Sequence, residues 1–311
     1  MQPKTRQSVS LVLGSGGARG LAHIGIIQWL EEHDYRIESI SGCSIGALVG
    51  GIYAAGKLDS YREWVCALRR TDVLRFLDLA FTSRGLIKGD RIIDTLRGMV
   101  GEHAIEDLPI AYTAVATDID RQREVWISEG PLFDAIRASI AVPTVFTPHQ
   151  YLGLTLLDGG LLNPVPIAPT FRDFTDLTIA VNVNGEPGAL SVPSQTPVKQ
   201  TDAEAPASKP APVKGDDDIR SRIREFLDGI GDSLKFNGPG DDDELGVFEL
   251  VARSFETMQN AIAAVKLAAY APDVAINVPR NVCDAHEFHR ARELIGIGYR
   301  LAEEAMRKEE H

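Results

Sequence analysis

Cysteine is scarce in this 311-residue chain, which contains only Cys43, Cys66 and Cys283. Three scattered cysteines are too few for a disulfide framework or a zinc site, both of which need paired or closely spaced sulfur atoms. Ligand spacings typical of a metal centre are missing from the sequence as well. We therefore expect no metal and no cofactor.

Long apolar runs and an excess of basic residues are also lacking. No uninterrupted apolar stretch approaches the roughly 18 to 20 residues of a membrane-spanning helix, and Met1–Gln7 contains no apolar signal region. The 44 acidic and 32 basic residues give a net charge of -12, which argues against a general nucleic-acid-binding protein. We expect a cytoplasmic protein whose contact with a membrane is peripheral, at its inner face.

The pentapeptide from Gly42 to Gly46, Gly-Cys-Ser-Ile-Gly, places a hydroxyl group where no structural need explains it. It follows an extended run at 37–41 and precedes a run of small apolar residues at 47–55 that suits a helix. A strand, a Gly-x-Ser-x-Gly turn and a helix form a nucleophile elbow, in which the glycines avoid collisions with neighbouring backbone. Ser44 is therefore the candidate nucleophile. The competing interpretation is an ordinary glycine-rich turn before a helix.

A second glycine-rich loop, Gly14–Gly20, follows the apolar strand Ser8–Leu13 and precedes a helix expected at 21–33. Both loops thus lie at the C-terminal ends of strands, where ligands bind in open α/β sheets. This loop can supply N–H donors to the oxyanion that forms when a nucleophile attacks a carbonyl group. A dinucleotide-binding turn is the alternative, but Arg19 occupies the place of its last glycine and no acidic residue ends the second strand.

Asp158 precedes Gly159 and Gly160 and follows a strand expected over Tyr151–Leu157. A carboxylate at the tip of a strand, beside two glycines, is well placed to act as a catalytic base. Asp-Gly pairs also cap turns routinely, so a purely structural role is the alternative.

The base that activates Ser44 is either this carboxylate or a histidine, which is the usual partner of a nucleophilic serine. The order Ser44, Asp158, then His286 or His289 is that of an α/β-hydrolase triad. In that fold, however, the oxyanion loop follows a different strand. The position of the first glycine loop therefore favours a Ser–Asp pair, with the triad as the second hypothesis.

The rest of the sequence alternates between predicted strands and helices. Strands are expected at 110–117, 125–128, 177–183 and 274–278, and helices at 58–89 (irregular), 90–100, 131–141, 245–270 and 285–306. The helix at 245–270 has large apolar residues near one face, among them Val251, Met258 and Val265. Residues 186–218 are rich in Pro, Ala and Asp, which predicts a flexible insertion. We expect one α/β domain over 1–311, with 219–311 as a helical region containing one short strand.

The motifs Gly14–Gly20, Gly42–Gly46 and Asp158–Gly160 occur in this order, and with them the chain resembles the patatin-like phospholipase family. It is most similar to the bacterial RssA and neuropathy-target-esterase type, over roughly Ser8–Val183. Ser15 departs from the pattern, because many members have glycine there. The resemblance implies a three-layer α/β/α sandwich with a mostly parallel sheet, and an enzyme that hydrolyses acyl esters of lipids without a cofactor.

Residue by residue, the resemblance implies that Ser44 is the nucleophile and Asp158 the base of a catalytic dyad. Gly16 and Gly17 match the oxyanion loop, and Arg19 matches a basic residue that orients the substrate or the loop. A position on the surface of a helix is the alternative for Arg19. The implied substrate is a phospholipid, lysophospholipid or simpler lipid ester. A non-catalytic lipid-binding or regulatory module is the competing function, and apolar faces on the later helices allow a homodimer.

Overall fold

The computed structural model of the protein describes residues 6–72, 89–143, 145–188 and 247–309. Eight strands in these ranges form one sheet: β1 (Ser8–Leu13), β2 (Arg36–Cys43), β3 (Ala111–Asp118), β4 (Arg123–Ile127), β5 (His149–Tyr151), β6 (Leu154–Asp158), β7 (Leu177–Gly185) and β8 (Val274–Pro279). Their order is β5-β6-β3-β2-β1-β7-β8, with β4 also paired to β3. Strands β3, β2, β1, β7 and β8 are parallel, whereas β4 and β6 pair antiparallel with β3, and β5 with β6.

Seven α-helices lie in the described ranges. They are α1 (Ala22–Glu32), α2 (Ile45–Ala54), α3 (Leu58–Ala67), α4 (Asp90–Val100), α5 (Leu132–Ser139), α6 (Val247–Tyr270) and α7 (Ala291–Glu309). Short 3₁₀ turns occur at Gly17–Leu21, Ile105–Asp107, Gly159–Leu161, Ala168–Arg172, Arg280–Val282 and Phe288–Arg290.

Helices cover both faces of the sheet. Val12 and Leu13 are consecutive residues of β1, so their side chains point to opposite faces. Val12 packs in a buried cluster with Ala263 of α6, while Leu13 lies beside Gly50 of α2. Strand β1 is therefore buried from both sides, as the apolar run at its end, residues 11–13, predicts. The predicted fold class, an α/β sandwich with a mostly parallel central sheet, is confirmed.

The strand expected over Tyr151–Leu157 is a hairpin instead. Strands β5 and β6 pair antiparallel around Leu152 and Gly153, whose φ angles of 48° and 75° reverse the chain direction. A left-handed conformation is common for glycine but rare for leucine, so apolar Leu152 made the segment look continuous.

The last helix begins later than the expected 285, at Ala291. The carbonyl group of Ala285 accepts a 2.8 Å hydrogen bond from the Ala18 N–H of the first glycine loop. The segment before the helix forms tight turns instead, in which the Glu287 N–H donates to the Asp284 carbonyl group at 3.1 Å and the Arg290 N–H to the Glu287 carbonyl group at 3.0 Å.

Several expectations fall on residues that are not described. They are the insertion from 189 to 218, the chain from 219 to 246, and the segment 73–88 of the irregular helical stretch. Within the described ranges, no helix has both the length and the apolar character needed to cross a membrane.

Candidate active site

Ser44 occupies a sharp turn between β2 and α2. Its φ and ψ angles are 54° and -122°, a conformation that costs a non-glycine residue free energy and is found mostly at functional sites. A Cβ atom on Gly42 would lie 2.6 Å from the backbone of Ala47, and one on Gly46 would collide with the carbonyl group of Leu13. The close approach of strand and helix therefore requires both glycines, as the elbow motif predicts.

A second serine, Ser139 at the end of α5, holds this turn in place. The Ser44 N–H donates a 2.9 Å hydrogen bond to Ser139 Oγ, and that hydroxyl donates a 2.6 Å hydrogen bond to the carbonyl group of Val115 in β3. The two serines are 95 positions apart, so no local pattern marks Ser139. Because its N–H is engaged, Ser44 cannot use it to bind an oxyanion.

The glycine loop at 14–18 is fixed by backbone hydrogen bonds from three of its N–H groups. The bonds run from Gly14 to Val181 (3.0 Å), from Ser15 to Pro164 (2.8 Å) and from Ala18 to Ala285 (2.8 Å). Within the described part of the chain, the N–H groups of Gly16 and Gly17 donate to no acceptor. Gly17 has a φ angle of 58°, and a Cβ atom there would meet the carbonyl oxygen of Ala285 at 2.5 Å. Two adjacent N–H groups in a backbone fixed by hydrogen bonds thus have no acceptor among the described residues.

Two buried side chains support the same loop. His23 Nε2 lies 2.9 Å from the carbonyl oxygen of Gly14. Burial lowers the pKa of His23 to about 4, so the ring is neutral, and its proton lies on Nε2 because the carbonyl group can only accept. Asn184 Nδ2 donates a 2.9 Å hydrogen bond to the carbonyl group of Ser15. Both contacts fix the peptide groups that precede Gly16.

Arg19 is buried rather than exposed on a helix surface, which excludes the alternative raised by the sequence. Its Nε donates to the Gly16 carbonyl group at 3.3 Å, and one Nη donates to the Arg280 carbonyl group at 3.1 Å. The other Nη forms a 2.5 Å ion pair with Glu256 of α6. Arg19 therefore orients the glycine loop and joins it to helix α6.

Asp158 ends β6 on the other side of β3 from the elbow. Asp158 pairs with Ala116 of β3, and Cys43, the residue before Ser44, pairs with the adjacent Val115. The sheet thereby brings residues 44 and 158 to the same edge. Asp158 is fully buried, and in the described residues it forms no ion pair with a cationic side chain.

The hydrogen bonds of the Asp158 carboxylate are unequal. Oδ1 accepts a 2.7 Å hydrogen bond from the Gly160 N–H. This bond caps the turn after β6, which is the structural role raised as an alternative for Asp158. The sulfur atom of Cys43 lies 3.9 Å from the same oxygen. Oδ2 has no hydrogen-bond partner among the described residues. The Ser44 hydroxyl lies close enough to lower the pKa of Asp158, although it does not reach hydrogen-bond geometry.

The pKa of Asp158 is raised to about 6. Burial is the largest cause, and it is partly offset by the interactions with Ser44, Gly160 and Cys43. Burial and the nearby carboxylate raise the pKa of the Cys43 thiol far above its usual range, so this side chain is a neutral packing group. Asp158 is therefore an anion near neutral pH that still binds a proton readily.

Helix α6 contributes a side chain that the sequence did not mark. Gln259 is buried, and its Nε2 lies so close to Gly160 that a Cβ atom there would collide with it. A Cβ atom on Gly159 would collide with the backbone carbonyl group of Val115, so this glycine is needed for packing, whereas at Gly160 the end of the flexible Gln259 side chain would have to shift. A glutamine on the buried side of an amphipathic helix is the one signal that points to Gln259.

His286 and His289 lie before α7, at a 3₁₀ turn, and neither forms a hydrogen bond with Ser44 or Asp158. In the part of the chain that the structure describes, no group of three or more His, Cys, Asp or Glu side chains is arranged to hold a metal ion. A serine, a carboxylate and two N–H groups that have no acceptor among the described residues thus lie at this edge of the sheet.

Comparison with known proteins shows which family the chain resembles. Residues 11–171 match the family described as patatin-like phospholipase. An uncharacterised NTE family protein of Mycobacterium tuberculosis is 40% identical over 327 residues, covering 96% of this chain and 91% of that protein. The lysophospholipase nte1 of Emericella nidulans is 34% identical over 181 residues, covering 57% of this chain and 12% of that protein. VipD from Legionella pneumophila, a solved structure, superposes with a TM-score of 0.54 at 13% identity, covering 98% of this chain and 67% of that one, which is a likeness of fold alone.

Proposed function

The chain belongs to the patatin-like phospholipase family and is a hydrolase of lipid esters, and on that premise we propose that it uses Ser44 as nucleophile and Asp158 as base. The observation that carries the proposal is the Asp158 carboxylate. It is buried, it has one oxygen without a partner among the described residues, and it lies beside the hydroxyl of a strained serine. In a buried aspartate with a purely structural role, both carboxylate oxygens normally have hydrogen-bond partners.

In the first step, the Ser44 oxygen attacks the acyl carbonyl carbon while Asp158 accepts the hydroxyl proton. A pKa of about 6 suits this role, because the carboxylate is ionised at neutral pH and is a stronger base than an exposed aspartate. The tetrahedral intermediate then collapses to an acyl-enzyme, and the proton passes from Asp158 to the departing alcohol. In the second half, water attacks the ester of Ser44 and gives a proton to Asp158; the bond between the acyl carbon and the Ser44 oxygen then breaks, Asp158 returns the proton to that oxygen, and the fatty acid leaves.

The oxyanion of both intermediates binds to the N–H groups of Gly16 and Gly17. Support for this assignment is that neither group has an acceptor among the described residues, while their neighbours in the loop are engaged. Donors that are fixed before the reaction need no reorganisation, and each contributes about 3 kcal/mol to transition-state stabilisation. Arg19 acts indirectly, by holding the Gly16 peptide group.

A lysophospholipid is the substrate class that we test first, because the related Emericella nidulans protein is named as a lysophospholipase. Wild-type enzyme is expected to release fatty acid from lysophosphatidylcholine and to hydrolyse p-nitrophenyl butyrate. Ser44→Ala should lower both rates by about 10⁴-fold or more, since serine hydrolases lose that much without their nucleophile. Equal rates in the two proteins would exclude Ser44 as the nucleophile, and no hydrolysis by either protein would indicate a non-catalytic lipid-binding module.

Replacing histidines separates the dyad from an α/β-hydrolase triad. The double variant His286→Gln/His289→Gln should keep its activity, because neither ring is bonded to Ser44 or Asp158 in the structure. Folding of the variant is checked by circular dichroism. A well-folded variant that has lost turnover would favour the triad.

A further inference from the structure

Helix α6 exposes an unusually apolar outer face. The exposed residues between 250 and 269 are Leu250, Val251, Ala252, Arg253, Ser254, Thr257, Met258, Ala261, Ala264, Val265, Ala268 and Ala269. None of them is acidic, and Arg253 is the single charged side chain, although the whole chain has a net charge of -12. Met258 and Val265 are 54% and 67% exposed, so these two residues of the predicted apolar face do not pack against the sheet.

The apolar surface continues beyond the C-terminal end of the helix. Tyr270 packs edge-on against Phe171, with ring centroids 5.4 Å apart, and Phe171 is itself 61% exposed. Phe174, three residues further along the chain, is fully exposed. Large apolar side chains exposed together mark a binding surface, whereas single ones need no explanation.

The inner face of the same helix contacts the candidate active site. Gln259 packs on Gly160, next to Asp158, and Glu256 pairs with Arg19, which holds the oxyanion loop. Ser44 is only 8% exposed, so a lipid needs some displacement of the surrounding residues to reach it. Helix α6 is therefore in contact with the site on one side and with solvent on the other.

We propose that the outer face of α6 binds the surface of the phospholipid aggregate that contains the substrate, an inference that rests on the proposed function. An apolar helix face adsorbs to a lipid surface by burying its side chains among the acyl chains. A face without carboxylates avoids repulsion by lipid phosphate groups, and a single arginine suits a zwitterionic surface better than a strongly anionic one. Adsorption through α6 brings lipid to the helix that packs on Gly160 and Arg19.

The test compares two variants of the full chain. Met258→Glu/Val265→Glu places two charges on the outer face, and Leu152→Glu places one on the exposed β5–β6 turn as a matched control. Binding is measured by co-sedimentation with phosphatidylcholine vesicles. The double variant should bind about 100-fold more weakly, roughly tenfold for each buried apolar side chain replaced by a charge, and the control should bind like wild type.

Hydrolysis distinguishes this inference from the proposed function. The double variant should retain its activity on soluble p-nitrophenyl butyrate and lose hydrolysis of vesicle lipid in proportion to its weaker binding. Unchanged vesicle binding, or no binding by wild type, would overturn the role of α6. Loss of a dimer in light scattering with vesicle binding intact would overturn it too, in favour of a subunit interface. Inactivity of the wild type on every ester would refute the proposed function instead. The co-sedimentation assay would still show whether the outer face of α6 binds vesicles, because it does not depend on hydrolysis.

Discussion

Replacing Asp158 with asparagine is expected to abolish hydrolysis and to stabilise the fold at neutral pH. The pKa of Asp158 is 3.8 in an exposed reference state and about 6 in the folded protein, chiefly because of burial. The folded state thus binds this proton more tightly than the unfolded state does. The bound proton therefore stabilises the folded state fully below pH 3.8, and this stabilisation is lost as the pH rises through about 6. The free energy of unfolding falls by about 3 kcal/mol in total over this range.

Asparagine avoids this loss because it carries no charge, and its side-chain oxygen still accepts the hydrogen bond from Gly160. In urea unfolding, Asp158→Asn should therefore gain about 3 kcal/mol over wild type at pH 8 and about half as much at pH 5. The difference between the two pH values is the informative quantity, since any change in packing affects both equally. A variant with the same relative stability at pH 5 and pH 8 would refute the reasoning.

Asp118 provides a control, because replacing it with asparagine should change the free energy of unfolding in the opposite direction. Burial acts to raise the pKa of Asp118, but hydrogen bonds from Arg121 and the charges of Arg121 and Arg123 outweigh it and lower the pKa. Its ionised form therefore stabilises the fold above the unfolded pKa of 3.8 and loses that effect as the pH falls. Asp118→Asn should destabilise the protein at both pH 5 and pH 8, in contrast to Asp158→Asn.

Three further predictions concern the same edge of the sheet. The kcat/KM for p-nitrophenyl butyrate should fall about tenfold per pH unit below about pH 6, where Asp158 becomes protonated, and a rate independent of pH from 5 to 8 would exclude it as the base. Ser139→Ala should lower both kcat and the free energy of unfolding, the latter by about 1–3 kcal/mol, because the Ser44 N–H loses its partner; unchanged values for both would contradict this. Gly46→Ala should severely lower expression and the free energy of unfolding, because the new Cβ atom collides with backbone atoms. Gly98→Ala is the control: there is open space around this glycine, and the free energy of unfolding should rise by up to about 1 kcal/mol in urea denaturation.

Much of the fold was predictable from the sequence, because its signals are local. The glycines around Ser44, the apolar run of β1 and the glycine loop each depend on residues a few positions apart. Backbone sterics and the alternation of side chains act over that range, so they appear as readable patterns. The family resemblance also rested on these motifs and is confirmed by the match over residues 11–171.

The tertiary structure alone decided what surrounds those motifs. Ser139 contacts Ser44 from 95 positions away, and Gln259 reaches Gly160 from a helix about 100 positions further along the chain. Contacts of this kind arise only when strands and helices pack, and nothing in the neighbouring residues announces them. The burial that raises the pKa of Asp158 has the same origin, since it comes from elements packed around the carboxylate and not from its sequence neighbours. The sequence by itself thus identified the chemical groups, and the packing of distant segments determined their environment.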